Sequence, residues 1–261
     1  MAGSPYSNRG AKRARDARRE LGYADDGPVP DLLETIEDGG GLHAVILELM
    51  DGLAGAYIAK PDLPLTFVNG AQPITRQRFT LAHEFGHFRM GHDTVIDKQT
   101  MIGGVQRDPN EVAANAFAAE FLMPLVATKA WGAAHVAGQP NLEHVVVFAH
   151  EYGVSPQAAR YAFATAGLLT DKRRGEQLDS EIADELHSEV ASYLGLAPLE
   201  DSLADAVRRL PRIPPALEHS ALGELLVGAI DMDELALRAG RSPDELHGAL
   251  AVFHLDQLLP A

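Results

Sequence analysis

The sequence predicts an α+β fold, in which helices and a short sheet form one unit and helices continue to the C-terminus. Three observations carry this. Three short apolar runs between Leu42 and Gly70, "LHAVILEL", "LAGAYIA" and "LPLTFVNG", are separated by Gly, Asp and Pro, as strands of a small sheet are. Two long stretches after them, around "RFTLAHEFGH" and "NEVAANAFAAEFLM", have helical rather than alternating patterns. From about residue 141 onward the chain reads as helices.

Residues 11–22 and 30–37 read as helices, broken at "DDGPVP" (25–30). The three strands follow the glycines at 39–41. A helix then runs from about Thr75 to Met90, with Gly91 as its stop signal. A loop with Gly103 and Gly104 leads to a helix from Asn110 to Met123. Asp108 is its N-cap, Pro109 suits its first turn and Pro124 closes it. The polar segment "TDKRRGEQLDSE" (170–181) is the best linker candidate. The predicted organisation is a unit over 1–135, a helix-turn-helix-like region over 136–172 and a helical C-terminal region over 173–261. An internal echo, A-x-x-x-G-x-S-P, starts at Ala149 and again at Ala236, with Leu168 and Leu255 at the same offset. Both copies resemble helix–turn–helix hairpins.

Composition bounds the function. The chain has 261 residues, 46% of them hydrophobic and 23% charged, which is a globular composition. A net charge of −15 argues against a general nucleic-acid binder, whose affinity comes from Lys and Arg on phosphates. The one basic run, from Lys12 to Glu20, reads as a solvated helix face. No cysteine is present, so disulfides, thiolate ligands and a cysteine nucleophile are excluded. The N-terminal stretch lacks a signal-type apolar region, and no apolar run is long enough to span a membrane, so the expected location is the cytoplasm.

The chemistry centres on His83, Glu84 and His87, spaced H-E-x-x-H. Residues four apart on a helix lie about 40° apart around its axis, so the two imidazoles share a face and can hold one metal ion. Glu84 is placed to act on a water at that ion without being a ligand, as in metallopeptidases. Phe79, Leu81, Ala82, Phe85 and Phe88 make the rest of the helix apolar. Two histidines and a glutamate buried there would be costly without a partner, and a metal is one.

A catalytic zinc needs three protein ligands and an open position. On a continuing helix His92 would lie about 140° from His87 and face away. Asp93 stands where one known pattern has its third histidine, so that pattern fails. On the second helix Glu111, Ala114, Asn115, Ala118 and Leu122 form one stripe, while Glu120 points to the opposite side. The alanines allow close approach to the motif helix, which makes Glu111 the expected third ligand. Asn115, one turn on, is placed to orient a ligand histidine. Two histidines and a carboxylate suit zinc, and also manganese or iron.

The stretches "RQRFTLAHEFGHFRMGH" (76–92) and "EVAANAFAAEFLMP" (111–124) resemble the ImmA/IrrE family of zinc-dependent metallopeptidases. The resemblance extends over about residues 10–170. It implies a zincin-like α+β domain, metal ligands at His83, His87 and Glu111, and a catalytic glutamate at Glu84. It also implies a protein substrate, an intracellular transcriptional repressor whose cleavage de-represses stress-response or mobile-element genes. For the oxyanion the sequence offers Arg76, His135, His150 and Tyr152 without choosing, and "LTFVNG" is a plausible edge for an extended substrate. The rival reading is a DNA-binding or partner-binding regulator with a metal site and no turnover. The first hairpin offers it only Arg160, and the second opens on Asp244 and Glu245. His187, His219, His247 and His254 are scattered and read as surface or core residues, and Trp131 as core.

Overall fold

The computed structural model describes residues 4–23, 27–49, 52–98, 108–203 and 212–252. Gly103, Gly104, His254 and Leu255 lie outside them. Helix α1 (Pro5–Glu20) starts earlier than its pattern suggests, because Ser4 accepts from the Ser7 N–H and Pro5 fills the first turn. A short α2 (Leu32–Glu34) continues into a wide turn over Thr35–Gly39.

The three expected strands form as β1 (His43–Leu47), β2 (Leu53–Ile58) and β3 (Leu65–Asn69). After α3 (Ile74–Met90) comes an unexpected fourth, β4 (Val95–Lys98). The sheet order is β1-β3-β2-β4, with β1 parallel to β3 and both other pairs antiparallel. The edge expected at "LTFVNG" is therefore an interior strand, hydrogen-bonded on both sides. Among the described residues the rims are β1 and β4. Arg212 covers β1, exchanging backbone hydrogen bonds with Ile46 while its guanidinium binds Glu37 and the Ala44 carbonyl.

Both sheet faces are buried, which explains why the strands read as continuous apolar runs. One face, with Ala44, Ile46, Tyr57 and Val68, joins the main core beneath α3. The other, with Val45, Leu47, Ala56 and Phe67, packs against Leu217 and Leu226 from the C-terminal region, where α11 (Ala221–Leu226) lies.

Helix α4 (Pro109–Leu122) packs between α1 and α3. Two glycines permit this. A β-carbon at Gly10 would stand 2.0 Å from the Ala113 carbonyl oxygen, and one at Gly86 would stand 3.0 Å from the Phe117 ring. The basic run on α1 is not a solvated face. Arg18 is fully buried and donates to the Phe121 carbonyl, Arg13 donates to the Arg89 carbonyl at the end of α3, and Arg15 pairs with Glu120. Arg13 and Arg18 thus complete the C-terminal ends of α3 and α4, where carbonyls lack helical partners.

Helix α5 (Leu125–His135) begins straight after Pro124, and α6 (Leu142–Tyr152) and α7 (Pro156–Ala166) form the expected hairpin. The linker candidate is instead α8 (Lys172–Ala183), which buries Leu178 and binds Arg160 through Asp179. Its polarity is that of a one-sided surface helix. α9 (Leu186–Tyr193) and α10 (Leu199–Leu203) follow. The N-terminus of α3 opens on Pro73, which offers no side-chain cap, and Glu200 of α10 accepts from the Ile74 and Thr75 N–H groups instead. A carboxylate at a helix N-terminus is the favourable sign. α12 (Met232–Ala239) and α13 (Pro243–Val252) repeat the α6–α7 turn, with left-handed Gly240 and Gly153 before a Ser-Pro start.

Candidate metal centre

Helix α3 presents His83 and His87 on one side, and both are fully buried. Their Nε2 atoms face each other at 3.1 Å. Glu111, in the first turn of α4, reaches them from below, with Oε2 3.4 Å from His83 Nε2 and Oε1 3.4 Å from His87 Nε2. Its position is set by Asp108, which accepts from the Asn110 and Glu111 N–H groups and fixes where α4 begins. His83 Nδ1 donates to Asn115 Oδ1 at 3.1 Å. That contact leaves Nε2 of His83 aimed into the cluster, the orientation a metal ligand requires.

Two side chains join this group that the sequence did not place there. Asp97 on β4 is fully buried, and its Oδ2 lies 3.2 Å from His83 Nε2. His92 was expected to face away, and instead its Nδ1 is 3.0 Å from His87 Nδ1. The helix does not continue past Met90. Gly91 takes a left-handed conformation (φ 67°), and the His92 N–H donates back to the His87 carbonyl, so the chain folds onto the ligand face. His87 thus has an ordering partner on one nitrogen while the other faces the cluster.

The donor set fits a metal ion. One ligand atom from each of His83, His87, Asp97 and Glu111 lies within 4.8 Å of the others. Contacts through His83 Nε2 measure 3.1, 3.2 and 3.4 Å. Ligands about 2.0–2.1 Å from a tetrahedral zinc stand about 3.3 Å from one another, so the spacing is that of a coordination shell. Both oxygens of Glu84 and both of Asp97 are buried without a hydrogen-bond partner, a cost that a bound cation offsets.

The electrostatics favour a free lone pair on His87 and a proton on His83, one that a cation at the cluster would displace. Burial, with the His83 charge adding to it, holds His87 neutral by lowering its pKa to about 3, so it is ready to ligate. Burial opposes a charge on His83, but Asp97 and Glu111 outweigh it and raise its pKa. Burial also pushes the Asp97 carboxyl up, and contacts with His83 and His87 bring it net below its ordinary value. Glu84 is raised well above the usual carboxylate range, by burial first and then by Asp97 and Glu111. A raised carboxyl among fixed charges is what a general base near neutrality needs.

Gly55 on β2 makes room for Glu84. It pairs across the sheet with Asp97, and a β-carbon there would stand 2.8 Å from Glu84 Oε1 and 2.6 Å from Thr80 Cγ2. Of the oxyanion candidates, His135 stacks on Trp131 within α5 and His150 binds the Val146 and Ala197 carbonyls, so both are engaged among the helices that follow α4. Tyr152 stacks on Phe148 in the core.

A helix bearing two imidazoles and a glutamate, crossed by a second helix with another carboxylate, is a site of the metallohydrolase class. Residues 42–164 match the family Peptidase_M78, described as the IrrE N-terminal-like domain. The match over this part of the chain supports a function of the metallopeptidase type. No curated protein matches the chain. No described helix is long and apolar enough to cross a membrane.

Proposed function

We propose that the protein is a zinc-dependent endopeptidase that cuts a cytoplasmic transcriptional repressor, de-repressing stress-response or mobile-element genes. The observation that carries the catalytic part is the buried Glu84, without a hydrogen-bond partner, beside a His83–His87–Glu111 donor set. His83, His87 and Glu111 hold the metal, and manganese is an alternative occupant. A bound ion supplies Lewis acidity and acidifies water at the site. Glu84 takes a proton from the attacking water and passes it to the leaving amine as the peptide bond breaks. Asn115 and His92 keep the imidazoles turned inward.

The substrate class rests on the resemblance of residues 76–92 and 111–124 to the ImmA/IrrE family. Nucleic-acid binding has less in its favour, because Arg160 on the first hairpin is paired with Asp179 at 2.7 Å. The test compares protein N-termini by mass spectrometry in cells expressing wild type or Glu84→Gln. N-termini that appear only with wild type, one of them within a repressor, are the expected result. Identical sets in both strains, at rest and under stress, would count against turnover.

A further inference from the structure

The four-residue cluster contains one carboxylate more than an open catalytic site requires. A hydrolytic zinc has three protein ligands and a free position, whereas four protein ligands make a closed site. Asp97 supplies the extra group. Its side chain is fully buried, no donor satisfies either oxygen, and Oδ2 is as near His83 Nε2 (3.2 Å) as His87 is (3.1 Å). It is not held there by a helix, as the other three are. It sits on β4, the four-residue strand at one rim of the sheet, joined to β2 through an irregular register between Leu53 and Gly55. Opposite it is Gly55, the residue that borders Glu84.

We infer that Asp97 is a fourth, displaceable metal ligand, which closes the coordination shell in this conformation and keeps water and substrate from the position they need. The inference rests on the metallopeptidase reading and adds a resting, latent state to it. With Asp97 as a ligand, the base Glu84 would be in place but would have no water to act on. Outward movement of β4, a rim strand with a short ladder, would withdraw Asp97 and open the site without disturbing the α3–α4 frame.

The test needs no substrate. The full chain is loaded with cobalt(II), and its visible spectrum is recorded while acetohydroxamate, a small metal-chelating anion, is added. Wild type should show a four-coordinate spectrum that acetohydroxamate leaves unchanged. Asp97→Ala and the size-conserving Asp97→Asn should show a spectrum that shifts on addition. Both should also bind zinc more weakly in chelator competition. The loss should be at least the roughly 10- to 100-fold that removing a ligand's hydrogen-bonding partner costs. A shift in wild type, which requires no variant to fold, would overturn the inference while leaving the metallopeptidase reading intact. Equal zinc affinity in wild type and variants, or a spectrum in the variants that acetohydroxamate leaves unchanged, would do the same. A wild-type chain that takes up no cobalt or zinc would remove the metal site itself, and with it both readings.

Discussion

The interface between α3 and α4 has two halves, buried alike and built on opposite principles. In one half Phe85 meets Phe117 and Phe121 edge-on at 5.7 and 5.5 Å, and those two rings stack on each other. In the other half His83, His87, Glu111 and Glu84 crowd together, with carboxylate oxygens that find no donor. The aromatic half is complete as it stands, since apolar surface needs only to be removed from water. The polar half leaves carboxylate oxygens unsatisfied, and a cation could satisfy them. The same two helices thus hold a site rigid with one half and leave it demanding a ligand with the other.

The comparison can be broken from either side. The largest effect should come from Glu84→Gln, which keeps size but removes the base. Cleavage of a substrate found by the N-terminal comparison should fall by about 10²- to 10⁴-fold, with bound zinc unchanged. Wild-type turnover in that variant would contradict the assigned role. Next comes the aromatic half. Phe117→Ala removes a fully buried ring between Phe85 and Phe121 and should destabilise the fold by about 3–5 kcal/mol in chemical denaturation. A loss under 1 kcal/mol would mean that this half is not the frame.

Asn115→Ala should be milder and selective. Without its oxygen on Nδ1, His83 is free to turn or change tautomer, so zinc affinity should fall by about 10- to 100-fold with little change in unfolding. Unchanged affinity would reduce Asn115 to packing. The smallest effect concerns the metal-free protein. Folding raises the Glu84 pKa, so above the unfolded value the unfolded chain releases a proton that the folded chain keeps. The folded state is therefore penalised as pH rises from the ordinary carboxylate range toward the raised value. Glu84→Gln should relieve this, melting higher than wild type at neutral pH when metal-free, with the difference closing as pH falls through the ordinary range. A difference independent of pH would contradict this account.

Helix periodicity explains which of these residues were legible in the sequence. His83, Glu84, His87, Glu111 and Asn115 lie on two regular helices, where spacing alone assigns faces, and the structure brings all five together. His92 was misplaced because the same periodicity was carried past Gly91, where a left-handed turn ends it. Asp97 was invisible for a different reason. Its strand is four residues long and reaches the metal cluster through pairing with β2, a contact that no local pattern encodes. The arginines of α1 looked solvated because charge predicts exposure, whereas Arg18 is buried on the carbonyl ends of partners distant in sequence. Three of the four strands are legible from their apolar runs, but their order is not, since that depends on what covers each rim.

The central claim is that these two helices hold one metal ion through His83, His87 and Glu111. Native mass spectrometry of the zinc-loaded chain tests it most directly, with wild type beside His83→Ala and Glu111→Ala. The account predicts a single zinc per wild-type chain and loss of that ion in both variants. A wild-type chain without zinc, or variants that keep it, would contradict the account.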